Sequence, residues 1–279
     1  MTRTATGCRL KTLTICAIAL QLLVSSVLAT CQSSQPSPEQ LIRRVIDHEL
    51  SAESHDDSHW MFRLETEHKN GQKEVDEVIE TKDGDLKRPI LINGQPLSEK
   101  QRQRSDRQLA RNRKAMLKAR KDESQDTARS QKMLKMLPNA FTFSYGERRG
   151  DLVQLKFKPN PRFRPKSHEA EVFHAMEGTV WVDQKQNRLA EISGHLIKKV
   201  KFGGGFLGHL DKGGTFDVKQ QAVSLGYWEL TQLNVEMNGK ALFFKTISVH
   251  QKYSRADFRR VPDDLTIAQA AEILKKTPE

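Results

Sequence analysis

The chain has 279 residues, 37% of them apolar, which is enough for one large domain or two modest ones around a real core. Three cysteines in that length exclude a disulfide-built scaffold. The formal charge of +11 would admit nucleic acid, until it is partitioned along the sequence.

At the start, Arg3, Arg9 and Lys11 precede an uncharged run from Leu13 to Leu23, followed by Ser25-Ser26-Val27-Leu28-Ala29. That is the layout of a secretory signal, with an apolar core short of the about 20 residues a bilayer span needs. Residues 1–30 are therefore expected to be a signal peptide and the chain to be exported. With Cys8 and Cys16 inside that segment, Cys31 is the only thiol of the mature chain, so no intramolecular disulfide forms. Residues 31–40, beginning "CQSSQPSPEQ", read as a flexible tether. The "LATC" before it resembles a bacterial lipoprotein processing site, in which case Cys31 is lipidated; ordinary cleavage after Ala29 is the alternative. The expected location is periplasmic or outer-membrane-associated.

Three of the eleven surplus charges lie in residues 1–30, which leaves eight, and residues 99–137 hold thirteen Lys or Arg against five Asp or Glu, again eight. The whole surplus thus sits on one segment. For an exported chain its partners are an anionic membrane surface or an acidic envelope glycan rather than nucleic acid.

The domain is expected over 41–279. Leu41, Ile42, Val45, Ile46 and Leu50 have helical spacing and predict an opening helix with one buried stripe. From His59 the period changes to that of strands, with Asn70-Gly71, Asp83-Gly84 and Asn93-Gly94 as tight turns, predicting a three-stranded meander. Ser98-Glu99-Lys100-Gln101 reads as a capping box opening a long basic helix over 98–137. About forty helical residues would span about 60 Å, so a break is expected near Asp122-Glu123-Ser124, with Pro138 as the stop. Strand periodicity resumes at "FTFSY" and continues to "KALFFKTISVHQKY". The stretch from Arg188 to Phe202 is one half-buried strand, and Asn238-Gly239 supplies a further hairpin. A closing helix falls within 263–279, from Thr266 to Leu274. The fold class is α+β: a large curved antiparallel sheet, as a half-barrel or partial barrel, with flanking helices and a long basic helical insertion.

Four motifs invite chemistry. "KFGGGFLGHLDKGG" places Gly203 and Gly208 at phosphate-loop spacing, but His209-Leu210 stand where Lys and Ser or Thr are required, so it reads as a wide inter-strand turn. Phe206 and Leu207 at its tip either fold back onto the core or gate an apolar cavity. "SHEAEVFH" departs from a zinc-protease helix because His168 and His174 are six apart with Val172 between. "HDDSH", with His55, Asp56, Asp57 and His59, reads as a polar turn, with adventitious metal as the other reading. The basic helix reads as a solvated insertion or as an electrostatic arm using Arg102, Arg104, Arg107, Arg111, Arg113, Lys114 and Lys118; it lacks the bulky apolar face of an inserting helix. No metal site, cofactor or assembled catalytic group is expected.

"MEGTVWVDQKQNRLAEISG" resembles the strand-turn-strand of the outer-membrane lipoprotein-sorting superfamily. That resemblance implies an unclosed antiparallel half-barrel, closed on its concave side by helices, that holds acyl chains without catalysis. "LINGQPLSEKQR", "FHAMEGTVWVD", "FGGGFLGHLDKGG" and "DFRRVPDDLTIAQA" also resemble an uncharacterised family of exported bacterial proteins. The leading expectation is a non-enzymatic envelope protein binding a lipid or lipidated protein, with Leu196, Val200, Phe202 and Phe216 lining the cavity and Phe206 and Leu207 at its mouth. The alternatives are an interaction module that bridges envelope components without a cavity and, third, a hydrolase with a dispersed site.

Overall fold

Local signals set the first helix before any tertiary contact is made. The Ser37 hydroxyl accepts from Gln40 N at 3.1 Å and the Gln40 side chain accepts from Ser37 N at 2.9 Å, a reciprocal cap. Pro38 starts the helix where no donor is needed, and α1 runs Pro38–His55. Its stripe of Leu41, Ile42, Val45 and Ile46 is at most 2% exposed, and each such side chain contributes about 1.5–3 kcal/mol on burial. The computed structural model describes residues 35–276 apart from 112, 206 and 242–244, and the side chains of 110–124, 126, 205 and 241–247 are likewise outside it.

The meander follows as β1 (His59–Glu67), β2 (Lys73–Ile79) and β3 (Leu86–Ile92), and the short β4 (Gln95–Pro96) folds back on β3. Between β3 and β4, Asn93 and Gly94 take φ of 52° and 75°, the doubly left-handed turn that an Asn-Gly pair accepts at little cost. The basic segment forms α2 (Glu99–Arg111) and α3 (Arg113–Ala140). The expected break near Asp122 is thus displaced: one helix ends at Arg111, and α3 is helical through Asp122-Glu123-Ser124. Pro138 does not stop α3 either; it lies in the last turn, where only one backbone bond is lost.

The remaining elements are β5 (Phe141–Arg149), β6 (Leu152–Pro159), α4 (His168–Phe173), β7 (Met176–Asp183), β8 (Arg188–Leu196), β9 (Val200–Phe202), β10 (Gly208–Leu210), β11 (Thr215–Ser224), β12 (Tyr227–Ala241), β13 (Lys245–Val261) and α5 (Ile267–Lys276). All strands pair antiparallel in one curved sheet of order β4-β3-β2-β1-β13-β12-β11-β8-β7-β6-β5, which does not close into a barrel. The fold is the α+β half-barrel class expected. Ser37–Glu279 forms one compact unit.

Three departures are local. The strand expected from Arg188 to Phe202 divides into β8 and β9, and β9 pairs with β10 as a small hairpin that joins β12. Asn238-Gly239 is no hairpin turn but lies inside β12. A side chain at Gly239 would put its Cβ 2.1 Å from the His209 carbonyl oxygen, so glycine serves the close approach of β10. Ser167 caps α4 by accepting from Ala170 N, a helix too short for periodicity to reveal.

Apolar residues gather in three clusters. The largest covers one face of β5–β8 with α1, the end of α3 and α4, and includes Leu137, Phe141, Leu155, Val180 and Leu196. A second lies between β1–β3, Leu109 of α2, and Ala270, Ala271 and Leu274 of α5. The third joins Trp60, Phe62, Leu64 and Val78 to Val223, Tyr227, Tyr253 and Phe258. Along β1 the third cluster takes Trp60, Phe62 and Leu64 while the second takes Met61, so these two lie on opposite faces.

Candidate functional site

Cross-strand register defines the site. Ile192 of β8 pairs with Val218 of β11, Val218 with Leu233 of β12, Leu233 with Tyr253 of β13, and Tyr253 with Thr66 of β1. Directly opposed residues share a face, so one mainly apolar row crosses five strands on the same side of the sheet. Beside it run Gly194, Phe216 and Val235. At the β8 end, Ile192 packs against the cluster under α1. Further on the cover ends: α1 packs on β5 and β8, and among the described residues no helix packs substantially on this face of β11, β12 or β13, Val261 of β13 meeting α5 on the opposite one. Val218, Leu233 and Tyr253 are left half-buried. The result is a half-buried apolar row on the curved sheet, termed the trough below, between the helix-covered cluster and the aromatic cluster at β1.

The far end of the trough is ionisable and aromatic. Trp60 meets Tyr227 edge-on at 5.7 Å, reaching across β13, and Phe62 stacks on Phe258 at 5.2 Å. Glu80, just beyond β2, accepts Trp60 N–H at 3.0 Å. Burial pushes its carboxyl up to about 8, with Asp85 and Glu229 adding and Arg255 opposing. Burial likewise pushes Glu229 up to about 7 against the pull of Arg255. Two carboxyls and one guanidinium thus share a partly dehydrated end of the sheet.

The residues expected to line a cavity divide. Leu196 and Val200 are fully packed in the cluster under α1, with Phe202 and Phe216 against it, so Leu196 and Val200 are core rather than lining. Gly203 and Gly204 make a single turn with φ of 55° and 67°. Leu207 folds back on it, its Cγ 2.8 Å from where a Gly203 Cβ would stand, yet remains 49% exposed. Phe206 lies outside the described residues. The trough proper uses Val218 and Leu233, whose strands mix polar and apolar residues so that parity alone does not single them out.

No family model, curated protein or solved structure matches the chain.

The other motifs do not assemble a site. His168 packs on Phe202 at 5.2 Å while His174 Nε2 bonds the Asn160 carbonyl at 2.8 Å, so the two imidazoles serve different partners. His55 Nδ1 meets the Ser51 carbonyl, and Asp56 accepts from Ser58 N. Among the described residues no group of three or more His, Cys, Asp or Glu is arranged to hold a metal ion. Surface hollows of about 500 Å³ along Pro165–Glu171 and about 360 Å³ at Asp211–Thr215 contain no residue of the apolar row.

In the basic arm, α2 docks through a narrow stripe: Ser105 and Leu109 are buried, and Asp106 accepts from buried Arg88 at 3.1 Å. Arg102 is half-buried and paired with Glu99 at 3.3 Å, whereas Lys100, Arg104 and Arg107 are exposed. The side chains of Arg111, Arg113, Lys114 and Lys118, and Cys31 with the rest of residues 1–34, where the signal and most of the tether are expected, lie outside the described residues.

Proposed function

We propose that the chain is a non-enzymatic, exported envelope protein whose curved sheet holds an acyl chain along β11–β13, with α2 as a basic contact to anionic envelope surfaces. One observation carries this reading: among the described residues no helix packs substantially over the half-buried row of Val218, Leu233 and Tyr253, while most of the same face of β5–β8 is buried under α1, the end of α3 and α4. An uncovered apolar groove beside a finished core marks a binding surface more than a packing defect. The resemblance of "MEGTVWVDQKQNRLAEISG" to the lipoprotein-sorting superfamily points the same way. The acyl chain is that of a free lipid or of a lipidated protein partner. A photoactivatable fatty acid tests it. The expected label falls on β11–β13 and is displaced by unlabelled fatty acid; label confined to β5–β8, or none above control, contradicts it.

The bridging module is the second reading, favoured by the full packing under α1. A protein that captures envelope components through α2 with an unoccupied sheet would support it.

A further inference from the structure

The end of the trough bears on what head the acyl chain carries, an inference that rests on the acyl-chain reading above. Along β13 the inner positions run from Tyr253 to Arg255 and, past the register shift opposite Met61 and Arg63, to Phe258 and Arg260. The Arg255 guanidinium lies 4.9 Å from the Phe62 ring centroid and 5.6 Å from that of Tyr253. Arg260 lies 5.1 Å from Tyr227 and 5.6 Å from Trp60. Stacking of this kind fixes a guanidinium plane while leaving its edge to bond.

The two arginines are partnered differently. Arg260 Nη2 donates to Asp263 at 2.7 Å. Arg255 Nε is buried and meets no acceptor among the described residues, a donor that a bound oxygen would satisfy. Arg255 acts on the carboxyls of Glu80 and Glu229, on which Asp85 and Asp56 respectively also act, with Arg188 as a second cation on Glu229. Because burial raises Glu80 to about 8 and Glu229 to about 7, at neutrality Glu80 is mostly protonated and Glu229 about half so, and the pair opposes an anion less than two ordinary carboxylates would. The adjoining β11–β12 turn carries Leu225, 97% exposed, two residues before Tyr227, which gives this end an apolar lip.

We propose that Arg255 seats an anionic headgroup, so that the trough takes a single-chain amphiphile ending in a carboxylate or phosphate, its chain running over Tyr253 toward Leu233 and Val218. An apolar row that ends on a guanidinium with one unmet donor is complementary to such a molecule along its whole length.

The test is titration of the delipidated full chain with dodecanoate, dodecyl phosphate, dodecanol and dodecyltrimethylammonium at neutral pH. The expected result is that an anionic ligand binds about tenfold or more tightly than dodecanol, the tighter of the two naming the headgroup. Arg255→Gln should close the gap between the anionic ligand and dodecanol, and Arg255→Lys should keep part of it. Equal binding of all four heads, or a gap that survives in a folded Arg255→Gln, overturns the headgroup while leaving the trough. No binding of any overturns both. Should Arg255→Gln fail to fold, the four-head series on the unaltered protein decides alone.

Discussion

Glu49 of α1 and Arg188 of β8 form a buried ion pair, Nε to Oε1 at 3.0 Å, and the same carboxylate oxygen accepts the Leu189 N–H at 2.6 Å. Together with the stripe from Leu41 to Ile46, this fixes α1 over β5–β8. The position of the cover determines which part of the sheet remains open.

Removing one partner of a buried pair strands the other charge, at a cost of about 3–5 kcal/mol. Glu49→Ala should therefore lower the free energy of urea unfolding by that amount. The double variant Glu49→Leu with Arg188→Met should recover most of it. A loss below about 1 kcal/mol in the single variant would place α1 elsewhere.

Stability should fall as pH rises. Burial pushes the carboxyls of Asp76, Glu80 and Glu229 up to about 7, 8 and 7, whereas in the unfolded chain they return to about 4. Folded protein then holds more protons than unfolded across that interval, so the stabilisation is complete below about pH 4 and is lost through about pH 7 to 8. Urea unfolding at about pH 5.5 and about pH 8.5 checks the sign. Glu80→Gln should flatten the dependence; an unchanged slope in that variant would show that Glu80 is not responsible.

Much of this architecture was legible in the sequence, because strands with one buried face alternate: the β1–β3 meander and the β5 to β8 and β11 to β13 runs follow from period and turns. Sequence parity also placed Leu196 and Val200 on the inner face. It did not reveal what covers them, because the cover comes from α1, whose Glu49 lies 140 positions from Leu189. Val218 and Leu233 were missed for the converse reason. Their strands have polar residues on both faces, and only the pairing of Ile192, Val218, Leu233 and Tyr253 aligns them. The Asn238-Gly239 pair carried a hairpin signal, yet its glycine answers to His209 on β10.

That glycine gives a local test. Because a Gly239 Cβ would fall 2.1 Å from a backbone oxygen, Gly239→Ala should destabilise by about 1–3 kcal/mol and raise hydrogen exchange at Lys201 to Leu210. Gly71→Ala, where a Cβ meets open space at φ of +82°, should cost only about 1 kcal/mol of backbone strain. Equal costs and an unperturbed β9–β10 pair would contradict the close-approach role.

The outward face of α2 predicts salt-sensitive adhesion. Lys100, Arg104 and Arg107 are exposed while Ser105, Asp106 and Leu109 dock the helix. At about 1 kcal/mol per cation near an anionic surface, replacing the three by Ser should weaken binding to anionic vesicles by about 100-fold at low salt. Binding that is insensitive to the triple change, or to salt, would remove α2 from this role.

The most direct measurement is mass spectrometry of the organic extract from protein purified out of the envelope, compared with a Val218→Glu and Leu233→Glu variant of unchanged fold. The account predicts a stoichiometric acyl species in the first and its loss in the second. An empty protein, or the same load in both, would contradict it.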